Sequence, residues 1–204
     1  MNNFLKNNYH ILTYLILYSS LILAFYFDEN VSGGPKYDFS YALKQVAIFE
    51  ENFFYSFLNY DTIEHPNRLS PIYIALLLLI KKIFFTMDLA RFVFLHFLIL
   101  SQLYFYKCLK VVFQNKLSLD KKILFFLSCI IFISPSFRAN VIWVESSMFG
   151  LLFFLIGLYY FLKNIEKFKL KNIYLNIFFI AIASYIRPSY CLFAIYFFYY
   201  YFSF

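Results

Sequence analysis

This chain of 204 residues has few charged side chains. Charged side chains make up 14% of the residues and hydrophobic ones 63%, with a mean hydropathy of +0.68. Water-soluble domains carry about 25% charged and about 45–50% apolar residues. The composition therefore excludes an ordinary soluble domain and predicts a polytopic membrane protein of the all-α class.

Cysteines and cofactor motifs are scarce too. Cys108, Cys129 and Cys191 stand singly in apolar segments, which gives neither a disulfide framework nor a metal-ligand spacing. No P-loop, dinucleotide fingerprint, nucleophile elbow or zinc signature occurs. The cofactor is therefore unknown, and no ligand cluster supports a divalent metal. The net charge of +7 lacks the basic face that would indicate nucleic acid as a partner.

Long apolar runs are what the sequence does have. A spanning helix needs about 20 mostly apolar residues, and the runs predict about six spans, at 10–27, 92–113, 123–143, 146–163, 172–187 and 188–204. The run at 71–80 is too short to span. The first run follows Lys6 without a cleavage site, which indicates a retained signal anchor. Since the chain stops inside an apolar run, we expect residues 1–204 to be one transmembrane domain truncated at its C-terminus.

The distribution of charge predicts the orientation. With 71–87 outside the membrane, the inner segments hold ten basic residues against two acids. The first outer loop, about 28–91, then holds eight acids against six bases. If 71–87 spanned, the five lysines at 107–122 would face outside. The N-terminus is therefore predicted to be cytoplasmic.

The first outer loop is predicted to contain two helices on the membrane surface. Residues 37–60 have apolar positions at helical spacing with polar residues opposite. A second helix is expected at 70–87, with Pro71 in its first turn.

Acidic residues cluster where the first span ends. Asp28 and Glu29 follow Phe27, and Asp38 comes after a Gly33-Gly34-Pro35 turn. These acids could simply end the span and cap the next helix. Alternatively, the turn brings them back towards the membrane face as part of a functional site.

Two further segments place cations in predicted outer turns. HPNRLSPIY, residues 65–73, carries His65 and Arg68, and Arg68 suits either a phosphate ligand or a lipid headgroup. SYIRPSY, residues 184–190, carries Arg187, which is either a second cation on this face or part of a turn ended by Pro188.

The segment ISPSFRANVIWVESS, residues 133–147, holds Arg138 and Glu145. Ionisable groups near membrane depth are costly and are usually functional. Because the two positions are seven apart, they would share a face of a continuous helix. Alternatively, they form one structural ion pair.

Four features together resemble the GT-C superfamily of membrane glycosyltransferases. They are FDEN at 27–30, an outer loop with surface helices, a Ser-Pro turn before the second span, and SPSFRANVIWVESSMFGLLFF at 134–154. The superfamily includes protein O-mannosyltransferases, lipid A aminoarabinose transferases and oligosaccharyltransferase catalytic subunits. The chain departs from it in having one acid, Glu145, instead of a cluster in the second outer loop.

The resemblance implies a hexosyltransferase that takes a sugar from a polyprenyl-phosphate donor at the outer face of the plasma (inner) membrane. A carboxylate would serve as general base, with Asp38 first, Asp28 second and Glu29 third. Glu145 would be the second outer-loop acid. The donor phosphate would be bound by a set of cationic side chains, namely Arg138, Arg68, Arg187 and His65. The partners would be the lipid bilayer, the donor, and a glycan, lipid or protein acceptor of unknown identity.

Two other functions stay open. One is a lipid-linked sugar flippase or polymerase-type transporter without transferase activity, for which broken helices and midplane ionisable groups are typical. The other is a structural membrane subunit, in which removal of charge at 28, 38, 138 and 145 would have no effect.

Overall fold

The computed structural model describes residues 2–31, 34–60, 69–84, 86–114 and 120–203, and every regular element in these ranges is helical. The predicted all-α class is therefore confirmed. The helices are α1 Asn2–Tyr26, α2 Pro35–Glu51, α3 Phe53–Leu58, α4 Pro71–Phe84, α5 Met87–Leu109, α6 Lys121–Cys129, α7 Pro135–Ile142, α8 Ser146–Glu166, α9 Leu170–Ile186 and α10 Cys191–Ser203. A π-helical turn, Lys110–Gln114, extends α5, and 3₁₀ turns follow α6 (Ile130–Ile133) and precede α10 (Pro188–Tyr190).

In the described part of the chain, three helical stretches are long and apolar enough to cross a membrane: 8–26, 87–113 and 146–166. A fourth candidate consists of α6 with its 3₁₀ turn and α7, which are bent by 72° at their junction. The helix α9 is apolar but has only 17 residues. The helices thus indicate a membrane protein with three or four spans by this measure, whereas the sequence predicted six.

The predicted span at 123–143 is interrupted at Ser134. Pro135 has no N–H and its ring blocks a continuous helix, so the chain starts a new helix there. Ser134 is extended, with φ −66° and ψ 117°, and its Oγ accepts a hydrogen bond from the Phe137 N–H at 3.3 Å. The chain therefore turns away from the direction of α6 before it reaches Arg138.

Successive helices of the bundle run in alternating directions: α6 is antiparallel to α5, and α8, which follows α6, is parallel to α5. Tyr104 at the end of α5 contacts Tyr159 late in α8, and Phe94 near the start of α5 packs on Phe149 early in α8. The helix α1 runs antiparallel to α5, because Tyr18 reaches His96 while Asp28, past the end of α1, reaches an arginine in the first turns of α5. One end of the bundle therefore collects the C-terminus of α1 and the N-termini of α5 and α8; we call it the acidic end, after Asp28, Glu29, Asp38 and Glu145.

Helices α2, α3 and α4 form a layer against this end. The predicted helix at 37–60 is divided at Asn52, whose Oδ1 accepts a hydrogen bond from the Tyr55 N–H at 3.2 Å and so caps α3. The predicted second helix matches α4, which begins at Pro71. Phe39 of α2 packs on Trp143 with ring centroids 5.9 Å apart, and Tyr73 of α4 packs on Phe149 at 5.6 Å. These aromatic contacts place the layer over the end of the bundle where the acids lie.

Gly157 allows α8 and α9 to pack closely. A Cβ at this position would lie 2.9 Å from Cδ1 and Cγ1 of Ile180, which is 3% exposed. The Gly157 carbonyl also accepts a hydrogen bond from Asn176 Nδ2 at 2.9 Å. Small residues at helix contacts are a common way for membrane helices to approach each other.

We expect Gly157→Ala to destabilise the chain by about 1 kcal/mol. The added methyl overpacks the contact at a cost of about 1–3 kcal/mol, which the helix propensity of alanine offsets by about 1 kcal/mol. In an Ile180→Ala background the same change should become stabilising, because the space is then open. Thermal unfolding of the four variants in detergent measures this coupling. Equal effects of Gly157→Ala in both backgrounds would contradict the close contact.

Candidate functional site

The end of α1 forms a Schellman motif that presents the first two acids. Asp28 adopts the left-handed conformation, with φ 51°, which aspartate tolerates better than most residues. The Glu29 N–H donates to the Ala24 carbonyl at 2.9 Å, and the Asp28 N–H donates to Phe25 at 3.2 Å. The acids therefore do end the helix, as one interpretation of the sequence proposed.

The end of α7 repeats this geometry and presents Glu145. Val144 has φ 51°, and the Glu145 N–H donates to the Asn140 carbonyl at 2.8 Å. A left-handed conformation costs a β-branched residue about 1–2 kcal/mol. Val144 is fully buried, and its carbonyl accepts a hydrogen bond from the Tyr73 hydroxyl at 2.5 Å, so the surrounding structure holds the turn.

Glu29 is held by Arg138. Nε and Nη2 of Arg138 donate to the two carboxylate oxygens at 3.0 and 2.6 Å, a bidentate pair. Nη1 donates to Ser20 Oγ at 2.9 Å, and Nη2 also reaches the Ser20 carbonyl at 3.3 Å. In addition, Trp143 Nε1 donates to the Glu29 carbonyl at 2.9 Å. These bonds join the end of α1 to α7 and occupy most of the donors of Arg138.

Asp28 is paired with Arg91, a residue that the sequence interpretation did not select. The guanidinium is buried, and Nη2 donates to Asp28 at 3.1 Å while Nη1 donates to Asp88 at 3.2 Å. It also lies 4.0 Å from the ring centroid of Trp143. The signals available in the sequence were the Asp88–Arg91 spacing of three within a helix and the single tryptophan.

Glu145 lies 6% exposed between α7 and α8. Its Oε2 accepts a hydrogen bond from the Ser147 N–H at 3.0 Å, which caps α8, and its Oε1 pairs with Arg187. Burial raises the pKa of Glu145, and the nearby Asp38 charge raises it further, while Arg187 and the Ser147 N–H oppose the shift.

Arg187 is accommodated by a glycine on the facing helix. A Cβ at Gly150 would lie 2.8 Å from the ring of Tyr190 and 3.3 Å from Cβ and Cγ of Arg187. The Nε–H of Arg187 is buried and has no hydrogen-bond partner among the described residues. Buried donors are normally paired, so this unpaired N–H is an exception in the described part of the chain.

Asp38 differs from the other three acids of this end. It is half-buried in the first turn of α2 and has no ion pair or side-chain hydrogen bond to any residue that the structure describes. It does not cap its helix, because the N-cap position is Gly34 and has no side-chain cap. Its charge contributes to raising the pKa of Tyr73 and Glu145, although burial is the larger cause in both. Asp38 is therefore near enough to Glu145 for its charge to act there, and it is not paired with Arg187.

The structure brings most of the predicted site residues to one end of the bundle, in a different pairing. The ion pair considered between Arg138 and Glu145 does not form, because α7 ends between them and each side chain has another partner. His65 and Arg68 lie outside the described residues. In the described ranges, no group of three or more His, Cys, Asp or Glu side chains could hold a metal ion. Comparisons with protein-family models, curated proteins and solved structures find no match.

We expect Arg138→Met to lower the free energy of unfolding by about 1.5–3 kcal/mol, because Glu29 loses two charge-assisted hydrogen bonds in a partly buried site. The matched control is Lys81→Met, which breaks a more exposed pair with Glu50 and should cost less than about 1 kcal/mol. Thermal unfolding of both variants in the same detergent makes the comparison. A cost for Arg138→Met no larger than that of the control would show that the pair does not hold α7 to α1.

We also expect Glu145 to make the stability fall as pH rises. Because burial raises its folded-state pKa, the folded chain holds more protons than the unfolded chain between the ordinary carboxylate pKa and the raised one. The contribution is thus present at low pH and is lost as pH rises through the folded-state pKa. The difference in unfolding free energy between the wild type and Glu145→Gln should therefore fall with pH. A difference that rises with pH would show that Arg187 outweighs burial.

Proposed function

We propose that the chain belongs to a membrane glycosyltransferase in which Asp38 is the general base. The observation that carries this proposal is that Asp38 has no arginine partner among the described residues. Asp28, Glu29 and Glu145 are each paired with an arginine, whereas Asp38 is half-buried, acts electrostatically on Glu145, and has no paired cation among the described residues. A carboxylate in an arginine pair must give up that pair to accept a proton. Asp38 has no such ion pair to break among the described residues.

The proposed reaction moves a sugar from a polyprenyl-phosphate donor to an acceptor hydroxyl. Asp38 takes the hydroxyl proton as the acceptor oxygen forms a bond to the anomeric carbon of the sugar. The bond between that carbon and the phosphate oxygen breaks, and the leaving polyprenyl phosphate keeps the electron pair. The protein needs only to orient the two substrates and to stabilise the charge that develops on the phosphate.

Arg187 is the best-placed cation for that phosphate. Its side chain is 38% exposed, and among the described residues it makes one side-chain hydrogen bond, from Nη2 to Glu145. Arginine suits phosphate because its planar fork can donate two hydrogen bonds at once. Arg138 uses its donors on Glu29 and Ser20, so we assign it the positioning of α1 against α7. A role of Arg68 and His65 in binding the donor stays a prediction.

The membrane arrangement that we propose is the one that the resemblance to GT-C enzymes implies. Six crossing segments, a cytoplasmic N-terminus and an active site on the outer face of the plasma membrane are proposed. The alternating directions of the long helices and the charge difference between the bundle ends support this arrangement. The acceptor would be a glycan, lipid or protein that meets the donor beside α2.

One observation favours a transporter of lipid-linked sugars as the second candidate. Broken helices are typical of transporters, and α6 and α7 are bent by 72° at Ser134. A reconstituted vesicle assay separates the two functions. Appearance of the donor in the opposite leaflet without a new glycosidic bond would support the transporter.

We expect Asp38→Asn to lower sugar transfer by about 10²–10⁴-fold, because asparagine cannot accept the hydroxyl proton. The measurement is transfer of radiolabelled sugar from polyprenyl phosphate by the full-length protein in membranes, at matched expression. Glu51→Gln, an exposed change on the same helix, is the control and should keep the wild-type rate. Wild-type transfer by Asp38→Asn would remove Asp38 from the mechanism.

A further inference from the structure

The end of the bundle opposite the acids is lined by lysines that surround two adjoining cavities. α8 has 21 residues and therefore extends about 30 Å from Ser146 to Glu166. A cavity of about 580 Å³ lies between the ends of α5 and α8, and one of about 520 Å³ lies between the end of α8 and the start of α9. Tyr159, Lys163 and Glu166 line both. Taken together, the two cavities are lined by six lysines, which we call the lysine cluster: Lys107, Lys110, Lys163, Lys167, Lys169 and Lys171.

The lysine cluster has little negative charge to balance it. Among the lining residues, six lysines face one carboxylate, Glu166. Aromatic faces are close to two of the ammonium groups: Lys107 Nζ lies 4.3 Å from the ring centroid of Tyr104, and both Lys107 and Lys163 lie within 6 Å of the Tyr159 ring. Two cations held at one ring repel each other, and an anion bound between them would relieve that repulsion.

Three helix ends meet at this place: the N-terminus of α9 adds to the positive potential, whereas the C-termini of α5 and α8 carry partial negative charge that the lysines offset. The N-cap position of α9 is Lys169, which makes no side-chain cap, so the first N–H groups of that helix carry their partial positive charge beside the second cavity. The π-helical turn at Lys110–Gln114 widens the end of α5, and Lys110 lines the first cavity. Helix ends, lysine side chains and cavity volume therefore coincide at one place.

The residues that line the first cavity indicate what else the ligand contains besides its negative charge. Leu103, Tyr106 and Val111 line the first cavity together with the lysines, and they belong to the stretch 87–113 that is apolar enough to cross a membrane. A ligand here would meet cations at the membrane surface and apolar side chains along α5. That combination fits a membrane lipid better than a water-soluble anion.

We propose that the lysine cluster binds the phosphate headgroup of an anionic membrane lipid, with the lipid chains along α5. This site is separate from the one at Asp38 and does not depend on the proposed transferase activity. Lys107 and Lys163 hold the phosphate beside Tyr159, and the lysines around the start of α9 bind further headgroup oxygens.

The test uses the purified full chain in neutral detergent. Phosphatidylglycerol and phosphatidylcholine with the same acyl chains are titrated in separate arms, and thermal unfolding reports binding. Phosphatidylglycerol should stabilise the protein at concentrations where phosphatidylcholine does not, and added salt should weaken the effect. Equal stabilisation by both lipids would overturn the proposal.

The variant Lys107→Gln/Lys163→Gln should weaken phosphatidylglycerol binding at least about tenfold, since each lysine near an anionic headgroup contributes to its affinity. Lys44→Gln/Lys81→Gln removes the same charge from the α2–α4 layer and should bind as the wild type does. If the cavity variant does not fold, Lys107→Arg/Lys163→Arg replaces it and should keep binding, and the lipid arms on the wild type still decide the result. A third arm contains glycerol phosphate and inorganic phosphate. Stabilisation by these equal to that by phosphatidylglycerol would assign the site to a soluble phosphate and overturn the lipid proposal.

Discussion

The arrangement of the acidic end depends on the bidentate contact between Arg138 and Glu29. This contact holds the residues just past α1 against α7, and the Trp143 indole, which donates to the Glu29 carbonyl, lies beside it. Arg91 then fits between Trp143 and Asp28, and Phe39 of the overlying layer packs on the same indole. A partly buried arginine–carboxylate pair is stabilising only if both ions are well bonded. The two oxygens of Glu29 and the bonds to Ser20 meet that condition.

Pairing of charges also separates the roles of the carboxylates. A carboxylate paired with an arginine, as Asp28, Glu29 and Glu145 are, is a structural anchor, because removal of either partner leaves the other charge unpaired. Asp38 is different in that its surroundings contain a carboxylate and a tyrosine but no described cation of its own. The same set of residue types in the sequence therefore divides into anchors and one free carboxylate once the helices are packed.

Much of this fold follows from composition and spacing, but the pairing does not. The helical class, the apolar stretches at 8–26, 87–113 and 146–166, and the start of α4 at Pro71 are local properties of the chain. Which arginine meets which acid depends on packing between residues 42 to 109 positions apart, and hence the sequence offered Glu145 as an alternative partner of Arg138 where the structure pairs it with Glu29. The break at Asn52 was missed because the apolar spacing continues across it, while a single capping side chain starts a new helix. Arg91 was counted only as one charge in a loop, since nothing local indicates that it is buried.

The turn at Val144 links this end of the bundle to the order in which the chain is synthesised. Its left-handed residue is held by a hydroxyl from α4, and Tyr73 precedes Val144 by 71 residues. Helix α4 has therefore left the ribosome before Val144 is synthesised. The hydroxyl that holds the turn is therefore already synthesised when α7 is made. The acidic end is completed from the older part of the chain towards the newer.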